Sequence, residues 1–211
     1  MSTLLARRVS PASVGTLLRR RDLEVLAWAG EQYAVRLDQL EPLLGCRRTV
    51  QRTVARLRDQ RLAVTRRLLV DEPAWVLPTA AGLRACGSSF RVWDPRLGLM
   101  AHVAAVNEVR LHVHARSRDA EWVCERRLAR ERESSEHLPD AVVLLDGQRV
   151  AIEVELTVKS RKRVTQILGE LSGRFDSVIY FCSASPHRQL RELADSGRWP
   201  KLGVRELPSP E

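Results

Sequence analysis

Leu138-Pro-Asp-Ala-Val-Val-Leu-Leu-Asp-Gly-Gln-Arg-Val-Ala-Ile-Glu-Val-Glu-Leu-Thr-Val-Lys159 is the stretch on which the fold turns. Ala141–Leu145 and Arg149–Val158 are two β-branched, apolar runs, and Asp146-Gly147 between them is the pair that favours a two-residue hairpin turn, so two antiparallel strands are expected. Side chains alternate along a strand. Val150, Ile152, Val154, Leu156 and Val158 therefore point one way and Ala151, Glu153, Glu155, Thr157 and Lys159 the other. Two carboxylates and a lysine share a face, and Asp140, which follows Pro139 at the head of the first strand, falls beside Glu153 if the partner is antiparallel. The plain alternative is that the polar face of the hairpin is solvated surface.

Outward from the hairpin, helix and strand alternate. Ser160–Leu171 reads as a helix capped by Ser160, Ser177–Cys182 as an apolar strand, Pro186–Ala194 as a helix and Leu202–Leu207 as a last strand. Upstream, Met100–Arg116 is a helix with Val103, Val106 and Leu111 inward, and Glu121–Arg127 a strand. The expected order is α-β-β-β-α-β-α-β. His102, His112 and His114 on the long helix are poor metal candidates, because residues two apart do not share a helix face.

The first half has another rhythm: short helices at Arg21–Gln32, Leu37–Leu44 and Arg47–Gln60, the last with Val50, Val54 and Leu57 on one stripe. Leu44-Gly45-Cys46 joins the second and third as a tight turn with glycine where a helix end wants a left-handed residue. Pro42 is tolerated only if the second helix starts late. Leu62–Val70 and Ala74–Leu77 flank Asp71-Glu72-Pro73 as a hairpin, and Thr79 caps a further helix. Residues 86–99, with Gly87, Ser88, Ser89 and Pro95, read as a linker between residues 1–85 and 100–211.

Charge divides the chain in the same way. It has 211 residues and a formal net charge of +9, with lysine only at Lys159, Lys162 and Lys201. Residues 1–99 hold 17 arginines against 9 acids, whereas the remainder holds 18 basic and 17 acidic residues. A polyanion partner is thus expected for the first half. No run is long and apolar enough to cross a bilayer, and Met1–Gly15 has no apolar core followed by a cleavage site, so a cytoplasmic protein is expected. Cys46, Cys86, Cys124 and Cys182 lack metal or disulfide spacing and read as reduced thiols.

Arg56-Leu57, Arg61-Leu-Ala-Val-Thr-Arg66 and Trp75-Val-Leu-Pro-Thr-Ala-Ala-Gly82 resemble the conserved pattern of winged helix-turn-helix regulators. That resemblance makes Arg47–Gln60 the recognition helix. Arg47, Arg48, Gln51, Arg52 and Arg56 would point outward, where Arg and Gln can make bidentate contacts to base edges in the major groove. Arg66 and Arg67 on the wing suit phosphate contacts.

Pro139-Asp140 followed by Glu153-x-Glu155 within this element order resembles the PD-(D/E)xK nuclease superfamily, a restriction-endonuclease-like α-β-β-β-α-β domain. More narrowly, Leu138–Val143, Ile152–Lys159 and Val178–Cys182 are similar to the replication-relaxation family of actinobacterial plasmids, phages and integrative elements, which joins a winged helix to such a domain. The resemblance implies Asp140 and Glu153 as ligands of Mg2+ and Glu108 as a weaker fourth acid; beside them Glu155 is taken as a third metal ligand and Lys159 as the catalytic cation. The departure is Glu155, which fills the superfamily's lysine slot. Lys159 can replace that lysine if the strand stays extended.

Two functions follow as expectations. One is a double-stranded-DNA-binding protein of a mobile element, acting in its replication, transfer or transcriptional control, with an inert nuclease-like domain. The other is a Mg2+-dependent DNA endonuclease or nickase targeted by its winged helix. Neither needs a membrane or a small-molecule cofactor, and a homodimer is an open expectation for a winged helix.

Overall fold

The computed structural model describes residues 18–132 and 137–208. The expectation for Met1–Gly15 lies outside them. The chain forms two compact units, Met1–Asn107 and Glu108–Glu211, of mixed α/β structure. The division falls inside a long helix rather than in the expected 86–99 linker, whose last residues already belong to that helix.

In the first unit, α1 (Arg20–Glu31) precedes a short strand β1 (Val35–Arg36), a 3-10 turn (Asp38–Leu40), α2 (Glu41–Leu44) and α3 (Arg47–Asp59). The expected second helix is thus split: Pro42 sits in the first turn of α2, where its missing N–H costs nothing. Gly45 ends α2 at φ +90°, a conformation in which a Cβ would be strained, and so lets α3 start at once. Strands β2 (Ala63–Arg66) and β3 (Trp75–Pro78) pair antiparallel, and β1 adds a third strand beyond β3 that the sequence did not announce. A two-residue strand has too few side chains to show an alternation.

Thr79 caps α4 (Ala80–Ala85): its hydroxyl accepts from Gly82 N and donates to Arg61 O at 2.8 Å. A Cβ on Gly82 would lie 1.9 Å from Leu62 O, so only glycine allows α4 to seat there. The first part of α5 (Leu97–Arg116) completes this core with Met100, Val103 and Ala104 against Trp75 and Leu77. Buried Asn107 fastens it, accepting from Trp28 Nε1 at 2.8 Å and donating to Ala34 O at 3.0 Å.

The second unit is built on a five-stranded sheet of order β4-β5-β6-β7-β8: β4 (Glu121–Cys124), β5 (Ala141–Leu145), β6 (Gln148–Glu155), β7 (Ser177–Cys182) and β8 (Leu202–Glu206). The first three strands are antiparallel; β6, β7 and β8 run parallel, linked through α7 (Arg161–Ser172) and α8 (Ala184–Asp195). Between β4 and β5 stands α6 (Glu125–Glu131), where a longer strand was expected. Its sequence, Glu-Arg-Arg-Leu-Ala-Arg-Glu, is made largely of good helix formers.

One face of the sheet, carrying Val142, Ala151, Val178, Tyr180 and Cys182, packs under Val164, Ile167, Leu168 and Leu171 of α7 and Leu190 and Leu193 of α8. Phe181 points to the other face and meets His112 of α5 edge-on, ring centroids 5.8 Å apart. A sheet covered on both sides buries β6 from Ala151 through Glu155. The polar face of the hairpin is therefore interior at Glu153 and Glu155, and reaches solvent at Thr157 and Lys159 beyond the strand. Among the described residues no helix is long and apolar enough to cross a membrane.

Candidate functional site

Helix α3 separates its residues by periodicity. Val50, Thr53, Val54 and Leu57 are buried, while Arg47, Arg48, Gln51 and Arg52 are exposed. None of the four finds an acid three or four residues onward: those positions hold Val50 and Gln51, Gln51 and Arg52, Val54 and Ala55, and Ala55 and Arg56. Arg47 and Gln51 line a concavity of about 340 Å³ together with Arg67 and Pro73 of the β2–β3 connection. Arg66 and Arg67 are both exposed.

Arg56, expected to face outward with the others, turns to α1. Its Nε donates to Asp22 Oδ2 at 2.8 Å and its Nη2 pairs with Oδ1, while Asp22 is fully buried and also accepts from Arg19 N. A buried carboxylate needs a partner in this way, because losing water without compensation costs more than an exposed arginine gains. The guanidinium planted on Asp22 is a bolt between α1 and α3.

In the second unit Asp140 stands one residue before the last pair of the β5–β6 ladder, Ala141↔Ile152, close enough to Glu153 for its charge to act on that carboxyl. Asp140 Oδ2 accepts from Val154 N at 2.7 Å. Glu153 is 3% exposed, and its Oε1 lies 2.9 Å from His137 Nε2. Burial pushes the Glu153 carboxyl up to about 7, and the charge of Asp140 adds to the rise, against the opposing pull of His137 and Lys159. Glu155, also buried, has its Oε2 2.5 Å from Lys159 Nζ, a charge contact without hydrogen-bond alignment. The expected route for Lys159 does not hold. The strand ends at Glu155, and four further extended residues would carry the lysine about 13 Å away. Instead the chain turns back and places the ammonium on its own i−4 carboxylate.

The histidine was not among the candidates. His137 N donates to Glu170 Oε2 at 2.7 Å and its carbonyl accepts from Arg174 Nη1 at 2.9 Å, both from α7 and its C-terminal end. Its position three residues before Asp140 was visible, but its carboxylate partner is 16 residues away and known only from the fold. Tyr180 is the second addition. It pairs with Glu153 in the parallel register, its buried hydroxyl has no hydrogen-bond partner among the described residues, and burial with the nearby carboxylates pushes its phenol far above the ordinary range. A lone hydroxyl in Val178-Ile-Tyr-Phe181 was the available signal. Glu108 is half-buried on α5, the helix that covers the opposite face through His112.

The donors suit a hard cation by type, and each is already engaged by the protein itself. Among the described residues no three His, Cys, Asp or Glu side chains converge as a metal site, and Asp140, Glu153 and Glu155 each spend an oxygen on Val154 N, His137 or Lys159. As it stands, the cluster holds a buried, raised carboxyl against an imidazole nitrogen. No family model, no curated protein and no solved structure matches the chain.

Proposed function

We propose that the chain is a double-stranded-DNA-binding protein whose first unit reads DNA as a winged helix-turn-helix, with α3 as recognition helix and β2–β3 as wing. The second unit is then a restriction-endonuclease-like domain of the PD-(D/E)xK kind, kept for its fold rather than for cleavage. The resemblance to the replication-relaxation family supports a setting on a plasmid, phage or integrative element, in control of its replication, transfer or transcription.

One observation carries this: Arg47, Arg48, Gln51 and Arg52 stand exposed and without an acid three or four residues onward along one side of α3, behind which Val50, Val54 and Leu57 are buried. Long donors on the early turns of such a helix are what a major groove requires. The test is retention of duplexes selected from a random pool. The variant Arg47→Ala/Arg48→Ala/Arg52→Ala is expected to lose selective retention, and persistence of selectivity would remove α3 from that role.

A second reading, a Mg2+-dependent endonuclease, is favoured by the cross-strand placement of Asp140 and Glu153. Incubation of supercoiled plasmid with Mg2+ or Mn2+ separates the two. Nicking that disappears in Asp140→Ala and Glu153→Ala means an enzyme; uncut plasmid agrees with carboxylates already engaged by His137, Val154 N and Lys159.

A further inference from the structure

The second unit is nearly neutral, with 18 basic and 17 acidic residues beyond residue 99, yet Lys159, Arg161, Lys162 and Arg163 put four cations into five residues. Three other arginines on its helices, Arg127, Arg188 and Arg191, each have an acid four residues on, in Glu131, Glu192 and Asp195. The same offset from Arg161, Lys162 and Arg163 reaches Thr165, Gln166 and Ile167. Arg161 and Lys162 have no ion pair among the described residues, and both are exposed.

These cations also stand at the wrong end of their helix. The first turn of α7 has no acid, and a helix N-terminus carries partial positive charge, so three cations there repel both the dipole and one another. An anion from outside would relieve that repulsion. The neighbouring carboxylates do not supply it: Glu153 and Glu155 are buried, Asp140 accepts from Val154 N, and Glu170 is taken by His137 N and Gln166. Lys159 is already paired, with Glu155. The cluster follows β6 directly, and Ser183 at the start of α8 binds the same connection through Leu156 O at 2.9 Å. It therefore lies at the carboxyl ends of the parallel strands, where ligands of α/β sheets bind.

We propose that this basic start of α7 contacts the sugar-phosphate backbone of duplex DNA, giving the second unit a nucleic-acid surface of its own. The proposal rests on the chain being a DNA-binding protein and adds a contact that α3 does not make. Phosphate contacts carry no sequence preference and are recognised by the salt dependence they add.

The test uses the full chain and a mixed-sequence DNA duplex over a range of salt. Arg161→Ala/Lys162→Ala is expected to weaken binding roughly tenfold at low salt and to reduce the slope of log affinity against log salt by about 0.9 for each phosphate no longer neutralised. The charge-conserving Arg161→Lys/Lys162→Arg should keep the wild-type slope. In the Arg47→Ala/Arg48→Ala/Arg52→Ala background, residual unselective binding should persist and fall when the α7 pair is also removed. An unchanged affinity and slope in the alanine pair, with wild type binding normally, overturns the α7 contact and leaves the role of α3 standing. Failure of wild type to retain any duplex at low salt overturns both.

Discussion

Helices α3 and α7 begin alike, Arg-Arg-Thr-Val and Arg-Lys-Arg-Val, whereas α1 begins Arg-Arg-Asp-Leu and carries its own acid in the first turn. In α3 and α7 the positive charge at the helix start is left open. Their surroundings differ. Around α3 the unit is strongly basic, and a later arginine, Arg56, is drawn inward to buried Asp22. Around α7 the unit is balanced, and the cations border carboxylates that the fold has hidden. The difference teaches that basic residues on one helix are not one population: partner and burial sort them into bolts and contacts.

The largest expected effect breaks α3 into these two kinds. Arg56→Ala leaves Asp22 charged, buried and without its guanidinium, and should lower the stability of the first unit by about 3 to 5 kcal/mol in denaturant titration. Arg52→Ala, one turn earlier and exposed, should change it by less than about 0.5 kcal/mol. Equal effects would mean that the two arginines do not differ in role.

Next in size is the hidden carboxyl of the second unit. Glu153 is raised from 4.5 to about 7, so the folded state holds a proton that the unfolded chain releases. Its stabilising contribution is complete below pH 4.5 and is lost as pH rises through about 7. The full swing is on the order of 3 kcal/mol, at about 1.4 kcal/mol for each tenfold in proton affinity. Glu153→Gln cannot titrate, so it should gain on wild type across that window. Parallel stability curves for the two proteins would show that the carboxyl is not raised.

A smaller change concerns specificity. Arg52→Ala alone should cost about 1 to 3 kcal/mol of discrimination between a selected duplex and its scrambled version, whereas Arg66→Ala should weaken both alike. If Arg66→Ala changes discrimination and Arg52→Ala does not, the reading role proposed for α3 is overturned.

An effect of opposite sign to that of Glu153 comes from His114. Burial, reinforced by Arg110, pushes His114 down to about 4, so the unfolded chain binds the extra proton and stability falls as pH drops from 6.5 towards 4. His114→Gln should flatten that limb of the profile, and an unchanged acid limb would show that the ring is not held neutral.

Much of the fold was legible because local rules agreed with tertiary ones. Helix α3, the Gly45 turn, the Thr79 and Ser160 caps and the Asp-Gly hairpin are fixed by periodicity, positive φ and capping chemistry over a few residues. Alternation along Val150–Lys159 correctly put Glu153 and Glu155 on one face, and the antiparallel pairing put Asp140 beside Glu153. The sequence by itself could say no more, because a period of two states which residues share a side and not what covers it.

Only the tertiary structure decided the rest. Helix α7 covers the polar face and makes two glutamates interior; Glu170 and Arg174 hold His137 against Glu153; and the strand stops at Glu155, so Lys159 folds back. Asp22 likewise selected Arg56 from a row of arginines that look equivalent in sequence. Each outcome depends on partners 16 or more residues apart, or on where an element ends, and there the balance between losing water and finding an opposite charge is set by packing.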